Sequence, residues 1–211
     1  IFNQGGIIMK KIMFNDKYGL TQAVLDGRKT MTRRISEDQI RNSIFCKSGY
    51  ESIHGYEIKP KYKVGEVVAI AQSYMDVDRF HRKGKNAAYL EYLDSILPEL
   101  KLHPGWTNKM FVKADLMPRH IEFTDCKVER LQDISDEDCL KEGIVMQEVI
   151  SDESPFLYAY DAFLNGDNKY FASRWFKNPK EAFAVLIDKV SGKGTWEENP
   201  FVWVYEFKLF D

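Results

Sequence analysis

The chain has 211 residues, of which 44% are hydrophobic and 14% aromatic, enough to bury one sizeable core. Its formal net charge of −2 excludes the broad positive field that drives non-specific nucleic-acid binding, so any such contact needs a local basic patch. The three cysteines are odd in number and lack paired spacing, which excludes a disulfide framework and predicts a reducing, cytoplasmic location. We also expect no membrane span, because no apolar run is long enough, and no signal peptide, because residues 1–8 have no basic start and no small-residue cleavage site.

The amino-terminal part predicts a helix, a sharp corner and a strand. Met9 is a candidate start, with residues 1–8 as an upstream extension or a cloning remnant, and the sequence leaves this open. Asp16 is the predicted N-cap of a helix that runs to about Asp26 and turns three apolar residues inward, Leu20, Ala23 and Val24. Gly27 predicts the helix stop, since glycine adopts a left-handed backbone without strain, and the threonine-rich residues after it are expected to be extended.

The middle of the chain predicts strands separated by one inserted segment. The capping pattern of residues 36–39 predicts a short helix, and residues 47–61 are loop-like in composition. Residues 75–108 are interpreted as an insertion that carries a helix over about residues 86–97. The predicted strands of this region are Val67–Ala71, Lys109–Ala114 and Ile121–Leu131.

The last third predicts a short helix, a second insertion and a long strand. Ser135 is expected to cap a helix that ends at Gly143. The second insertion covers about residues 145–195, and residues 155–190 carry two helical patterns. The later one begins at Pro179 and is predicted to bury Phe183, Leu186, Ile187 and Val190. Residues 201–210 alternate as a strand does, with Trp203 on the buried face. Strands at both ends with helices between predict an α+β domain over residues 1–211, a small mixed β-barrel with flanking helices.

Residues 27–34 hold the densest chemistry of the chain. One lysine, two threonines and three arginines follow Gly27 within this segment: Arg28, Lys29, Thr30, Thr32, Arg33 and Arg34. Cations next to a fixed backbone corner suit an anionic or carbonyl-bearing ligand. The alternative is a basic hairpin on a solvated face. For Arg34 the sequence leaves two roles open, a contact to a phosphate or carboxylate of the ligand, or an ion pair with a local acid such as Glu37.

This segment resembles the signature Gly-x-Lys-x-x-[Glu/Thr]-x-Arg of the ASCH domain family, a relative of the RNA-binding PUA domains. Three more segments resemble the family in the same order, at residues 62–68, 128–144 and 196–207, and the last is closest to phage-type and prophage-type members. The likeness covers about residues 13–210. It implies a PUA-like barrel with helices outside, and a ligand cleft between the barrel rim and the helices.

The resemblance extends to the bacterial amidohydrolases that act on N4-acetylcytidine. It implies that Lys29 accepts a proton, Thr32 is the nucleophile and Glu142 is the proton donor. A threonine hydroxyl needs a base to become a nucleophile, and a lysine is a base near neutral pH only if burial or nearby cations lower its pKa. The ordinary alternatives are a surface lysine, a strand hydroxyl and a solvated charge in the last helical turn.

The remaining candidates for ligand contacts are less specific. Arg28, Arg33 and Arg34 are expected to supply the cationic field, and Arg119 either enters the cleft or lies on a surface turn. Tyr74, Trp196 and Trp203 could stack on a base, although core packing is the simpler interpretation for Trp203. The four histidines are scattered without ligand spacing, so we expect no metal and no cofactor.

These patterns lead to one functional prediction with two alternatives. The chain is predicted to bind a nucleoside or an RNA element in a cationic cleft, and to hydrolyse the amide of an N4-acylated cytidine. The alternatives are a non-catalytic RNA-binding module and a phage-derived interaction protein without a nucleotide ligand. We expect no membrane partner, and the sequence leaves the oligomeric state open. Lys29→Ala and Thr32→Ala are each expected to remove hydrolysis and to leave the fold intact.

Overall fold

The computed structural model describes residues 9–35, 44–46, 49–51, 58–85, 87–96, 98–148, 156–159 and 175–210. It is a mixed α/β structure. Its strands are β1 Lys11–Ile12, β2 Met31–Ile35, β3 Ile44–Cys46, β4 Gly49–Glu51, β5 Val67–Ile70, β6 His120–Arg130, β7 Val145–Glu148, β8 Phe156–Ala159 and β9 Phe201–Phe210. Its α-helices are α1 Leu20–Leu25, α2 Tyr74–Arg82, α3 Ala87–Ile96, α4 Pro98–Lys101, α5 Asp136–Lys141, α6 Pro179–Ser191 and α7 Thr195–Glu198.

Five strands form one sheet in the order β1-β5-β6-β9-β2. β1 pairs in parallel with β5, and β2 pairs antiparallel with β9, with Thr32 opposite Tyr205 and Arg34 opposite Trp203. Two separate ribbons, β3–β4 and β7–β8, are antiparallel. A sheet of five strands with helices agrees with the predicted α+β class, while closure of the sheet into a barrel stays a prediction.

The chain divides into two compact units. The first contains the described parts of residues 1–14, 67–121 and 210–211, and the second those of residues 15–66 and 122–209. β6 contributes residues to both. The predicted single domain over residues 1–211, with its two insertions, is not tested by this division and stays a prediction.

The first unit has a small apolar core and one lysine that donates to three backbone carbonyls. Ala69, Ala71, Val112 and Met117 pack together. The Lys11 ammonium donates to the carbonyls of Lys109, Met110 and Val112 at 3.0, 2.7 and 2.7 Å. Lys109 and Met110 lie in a short 3-10 turn, Lys109–Phe111, and Val112 ends that turn. A second turn, Ala114–Leu116, follows, so the predicted strand Lys109–Ala114 is absent. The prediction was wrong because a distant ammonium binds the carbonyls that a strand would present to a neighbour.

The second unit is built around β9. Strand neighbours β6 and β2 lie on either side of β9, and Trp203, Tyr205 and Phe207 are buried as predicted. Val202 and Val204 on the other face are buried as well, so the first half of β9 is covered on both faces. The rings of Tyr62, Phe123 and Tyr205 pack against one another at centroid distances of 4.7 to 5.5 Å. This strand therefore carries the core that supports the residue 27–34 segment on β2.

The helix before that segment begins differently from its prediction. Asn15, not Asp16, is the N-cap of a 3-10 turn over Asp16–Tyr18, and Gly19 separates that turn from α1. The Asp16 carboxylate instead accepts a hydrogen bond from the Thr21 hydroxyl. The end of α1 is as predicted, since Gly27 has φ +73° and the chain then enters β2.

Three other predicted segments lie at least partly within the described residues, and each differs from its prediction in one respect. α2 was not predicted: it lies at the start of the predicted insertion over residues 75–108, before the helix expected at about residues 86–97, and Ser73 with Asp76 forms its capping box. Part of the predicted 47–61 loop is β4, and β8 occupies the start of the predicted helical pattern at 155–190. α6 begins at Pro179 as predicted, but Val190 is 40% exposed. The predicted short helix at residues 36–39 lies outside the described residues.

No helix in the described part of the chain is long and apolar enough to cross a membrane.

Candidate functional site

The corner after α1 places Lys29 outside the strand that follows. The backbone N–H groups of Arg28 and Lys29 both donate to the carbonyl of Ala23 at 2.9 Å, which wraps the chain around the end of α1. The next N–H, from Thr30, donates to the carbonyl of Lys141 at 2.9 Å. β2 begins only at Met31, so the alternation of a strand does not govern the direction of the Lys29 side chain. The segment is thereby tied to the end of α5.

Lys29 and Glu142 form a buried ion pair. The Lys29 ammonium donates to Glu142 Oε2 at 2.6 Å and to the Glu142 backbone carbonyl at 2.7 Å. The residues are 2% and 4% exposed, so the alternatives of a surface lysine and a solvated glutamate are wrong. Glu142 caps the carboxyl end of α5, where the helix dipole disfavours an anion, and the ammonium compensates for that misfit.

Burial dominates the electrostatics of Lys29. Loss of hydration lowers the pKa of its ammonium from 10.5, while Glu142 opposes this effect, and the nearby charges of Arg34 and Arg33 lower it further. A lowered pKa is the direction that a lysine requires to accept a proton near neutral pH.

Arg33 contacts three carboxylates. Its guanidinium donates to Glu142 Oε1 at 3.2 Å, to Asp138 Oδ2 at 3.2 Å and to Glu129 Oε1 through two nitrogens. Its side chain is fully buried, and these acids raise the pKa of Arg33 although burial opposes them. We call Arg33, Glu129, Asp138 and Glu142 the arginine clamp. The guanidinium that was predicted to bind a ligand is therefore held by internal acids.

Thr32 lies on the other face of β2. Arg33 turns toward the clamp, so its neighbours Thr32 and Arg34 point the opposite way along the pleated strand. The side chain of Thr32 is buried beside Tyr205. The hydrogen bonds of the described residues include none between the Thr32 hydroxyl and either Lys29 or Glu142. The structure thus brings together two of the three predicted catalytic residues, and the catalytic roles stay predictions.

Arg34 is enclosed near two phenols. Burial lowers the pKa of its guanidinium, and Tyr62, Glu142 and Tyr205 oppose that effect. Burial also raises the pKa of Tyr205 to about 12, and its hydroxyl accepts a hydrogen bond from the Lys61 N–H at 3.1 Å. Glu37, the alternative partner for Arg34, lies outside the described residues.

The other predicted ligand contacts lie in different surroundings. Arg28 is half-buried and pairs with Asp26 at 3.3 Å. Trp196 lines a groove of about 360 Å³ between α6 and α7, together with Lys189 and Lys193. Tyr74 and Arg119 belong to the first unit, where Tyr74 packs edge-on against His103. Trp203 is buried, as core packing predicts.

The sequence did not single out Glu129 and Asp138, although both complete the arginine clamp. Each lies in the second block that resembles the ASCH family, but no spacing marks them as partners of a distant arginine. The one feature of the sequence that could have indicated such acidic partners was charge. A segment with four cations in a chain of net charge −2 needs acids from elsewhere if it is buried. Among the described residues, no group of three or more His, Cys, Asp or Glu could hold a metal ion.

No family model and no curated protein matches the sequence. The chain resembles a solved structure, the high-resolution crystal structure of an ASCH domain from Lactobacillus crispatus JV V101. The two share 13% identity over 95% of this chain and 79% of that one, with a TM-score of 0.36. A likeness with so low a TM-score supports no argument about family or chemistry, and membership of the ASCH family stays a prediction.

Proposed function

We propose that this protein is an ASCH-type amidohydrolase that binds an N4-acylated cytidine and cleaves its amide at the Lys29–Glu142 pair. The observation that carries the proposal is the 2.6 Å contact between a buried ammonium and a buried carboxylate that are 113 residues apart in sequence. The family likeness named these two residues from separate motifs. Their contact supports a shared role in proton transfer.

The proposed reaction moves one proton along this pair. The Lys29 ammonium first gives a proton to the Glu142 carboxylate across their hydrogen bond, which leaves a neutral amine and a carboxylic acid. The neutral amine then takes the proton of the Thr32 hydroxyl as the oxygen attacks the acyl carbonyl carbon. The carbon–nitrogen bond breaks, and Glu142 gives a proton to the departing N4 amine of cytidine. Lys29 then returns its proton to Glu142 across their hydrogen bond, and water hydrolyses the acyl-threonine ester to a carboxylic acid and free Thr32.

The position of Thr32 sets a condition on this proposal. Its hydroxyl makes no hydrogen bond to Lys29 or Glu142 among the described contacts and lies on the face of β2 opposite Arg33. The proposal therefore requires β2 to shift at Thr32 when the substrate binds. Hydrogen bonds between catalytic groups often tighten only when the substrate is present. The same observation favours a second candidate, a non-catalytic RNA-binding module in which the ion pair holds α5 against the segment before β2.

A turnover assay separates these two functions. The full chain is incubated with N4-acetylcytidine, and the release of cytidine and acetate is followed by chromatography. We expect hydrolysis by the native chain and by Arg82→Lys, whose arginine pairs with Asp78 and Asp94 and is not one of the proposed catalytic or clamp residues. Glu142→Gln should lose turnover, because an amide cannot act as the acid.

Binding to a short single-stranded RNA is measured in parallel over a range of salt concentrations. Salt-sensitive RNA binding without any release of acetate would contradict hydrolysis and support the RNA-binding module. Neither binding nor hydrolysis would support an interaction protein without a nucleotide ligand.

A further inference from the structure

Arg33 is the most heavily contacted side chain of the site, yet the family signature leaves its position unspecified. Its side chain is fully buried and reaches carboxylates from β6, from α5 and from the residue that ends α5. Arginine suits this arrangement because its planar group presents several donors in a fixed fork. A lysine at position 33 has a single nitrogen and could contact only some of these three carboxylates.

The two oxygens of Glu142 have different partners. Oε2 accepts from Lys29 at 2.6 Å, and Oε1 accepts from Arg33 at 3.2 Å. With each oxygen held by its own donor, rotation of the carboxylate would break both contacts. The Glu142 carboxylate is therefore held by both donors, one on each oxygen.

Glu129 and Asp138 hold Arg33 in turn. Glu129 accepts hydrogen bonds from Nε and Nη2 of Arg33. Asp138 also accepts a hydrogen bond from Nη2. Both acids have outer partners of their own, since Lys127 pairs with Glu129 at 3.0 Å and Lys141 with Asp138 at 3.5 Å. The chain of contacts thus runs from the surface to the Lys29–Glu142 pair.

We propose that Arg33 is a positioning residue, which holds the Glu142 carboxylate so that Oε2 faces Lys29. This inference rests on the proposed function, because it assigns Arg33 the task of keeping the proton donor aligned. A misplacement of a catalytic group by about 1 Å is enough to slow a reaction about 10²-fold. Loss of the clamp should therefore lower kcat, while KM for the nucleoside changes by less than about two-fold, since Arg33 does not itself contact the substrate.

The first test uses the native chain, so that it does not depend on a variant that folds. Arginine and lysine are labelled with ¹⁵N, and the NMR signals of Lys29 Nζ and Arg33 Nε–H are followed from pH 6 to pH 11. Lys29 faces Glu142, Arg33 and Arg34, and Arg33 faces Glu129 and Asp138. We expect the Arg33 signal to shift at the pH where Lys29 titrates. An Arg33 signal that ignores that titration would overturn the inference.

The second test compares Arg33→Lys with Arg82→Lys. Both replace an arginine that contacts more than one carboxylate, but Arg82 lies in the first unit and outside the clamp. Arg33→Lys keeps the charge and loses the fork, so Glu142 is less neutralised. We then expect the pKa of Lys29 to rise and kcat to fall about 10²-fold, with no change in either for Arg82→Lys. An unchanged kcat and an unchanged Lys29 titration in Arg33→Lys would overturn the inference.

The two proposals fail in different ways. If the native chain does not hydrolyse N4-acetylcytidine, the proposed function falls, but coupled titration of Lys29 and Arg33 still supports positioning of the pair. If the native chain hydrolyses it and Arg33→Lys does so at the same rate, the function stands and the inference about Arg33 falls.

Discussion

Lys29 is a buried cation whose charge is balanced by the carboxylate of Glu142, 113 residues away in sequence. Removal of one partner of a buried ion pair leaves an uncompensated charge and usually costs about 3–5 kcal/mol, much more than loss of a surface pair. The sequence alone led us to expect that Lys29→Ala would leave the fold intact. The 2% exposure of Lys29 changes that expectation.

We expect Lys29→Met to lower the free energy of unfolding by about 3 kcal/mol, measured by urea denaturation at pH 7. The double variant Lys29→Met/Glu142→Gln should regain part of this loss, because the second change removes the unpaired charge. A loss below about 1 kcal/mol for Lys29→Met would show that the pair behaves like an exposed one.

The buried phenol of Tyr205 leads to a second prediction at the scale of single residues. Burial raises the pKa of its phenol to about 12 from an ordinary 10.0, so the unfolded state releases this proton first as the pH rises. Stability should therefore fall between pH 10 and about pH 12, by up to about 2–3 kcal/mol from this group. Phenolate absorbance and urea denaturation of the native chain and Tyr205→Phe measure both effects.

Other side chains also titrate between pH 10 and about pH 12. Their contribution to the pH dependence of stability is the same in the native chain and in Tyr205→Phe, so the difference between the two profiles reports on Tyr205 alone. At neutral pH, Tyr205→Phe should cost about 1 kcal/mol through the lost hydrogen bond from Lys61. An identical alkaline profile for the two chains would contradict the burial of this hydroxyl.

At the scale of elements, the predictable parts were those specified by local signals. Gly27 marked the end of α1, Ser135 marked the start of α5, and strict alternation marked β9. The predicted strand at Lys109–Ala114 failed because Lys11, about a hundred residues earlier, takes up its carbonyls. The arginine clamp could not be predicted either, because Glu129 and Asp138 are far from Arg33 in sequence and contact it only in the folded chain. Local sequence carries no record of such long-range pairing.

The turn after α5 brings the backbone of Gly143 close to the Lys29 side chain. Alanine substitutions at Gly143 and at a control glycine, Gly65, test the effect of this close approach. Gly143 has φ +103°, and an added Cβ would lie 3.4 Å from Leu20 and 3.6 Å from the Lys29 side chain. Gly65 has φ +80°, and an added Cβ would have no neighbour within 4 Å. Both alanine variants pay for the left-handed backbone, about 1–2 kcal/mol, and the φ of Gly143 lies further from the left-handed helical region than that of Gly65. Gly143→Ala also places a methyl group in van der Waals contact with Leu20 and the Lys29 side chain.

We expect Gly143→Ala to lower the free energy of unfolding by more than Gly65→Ala, and to alter the pH at which Lys29 titrates. Thermal unfolding and the Lys29 NMR signal measure these two effects. Equal losses of stability, with an unchanged Lys29 signal, would mean that α5 does not hold its carboxyl end against Lys29.

At the scale of the whole molecule, the site belongs to the second unit. The described partners of the four site residues come from α5, β6, β9 and the segment before β5. All of these elements lie within residues 15–66 and 122–209, as do Lys29, Thr32, Arg33 and Arg34 themselves. The small net charge of −2 is consistent with this design, because the cations of residues 27–34 are offset by internal acids. A ligand that uses this site must therefore be recognised by shape and hydrogen bonds more than by a long-range field.

The central claim is that Thr32, Lys29 and Glu142 work as one proton-transfer unit, and the most direct test is a double variant. We would measure kcat/KM for N4-acetylcytidine hydrolysis by Thr32→Ala, Glu142→Gln and Thr32→Ala/Glu142→Gln, each checked for folding by circular dichroism. We predict that each single change lowers kcat/KM by about 10²-fold or more, and that the double variant is no worse than the poorer single one. Full turnover by Thr32→Ala, or losses that multiply in the double variant, would contradict it.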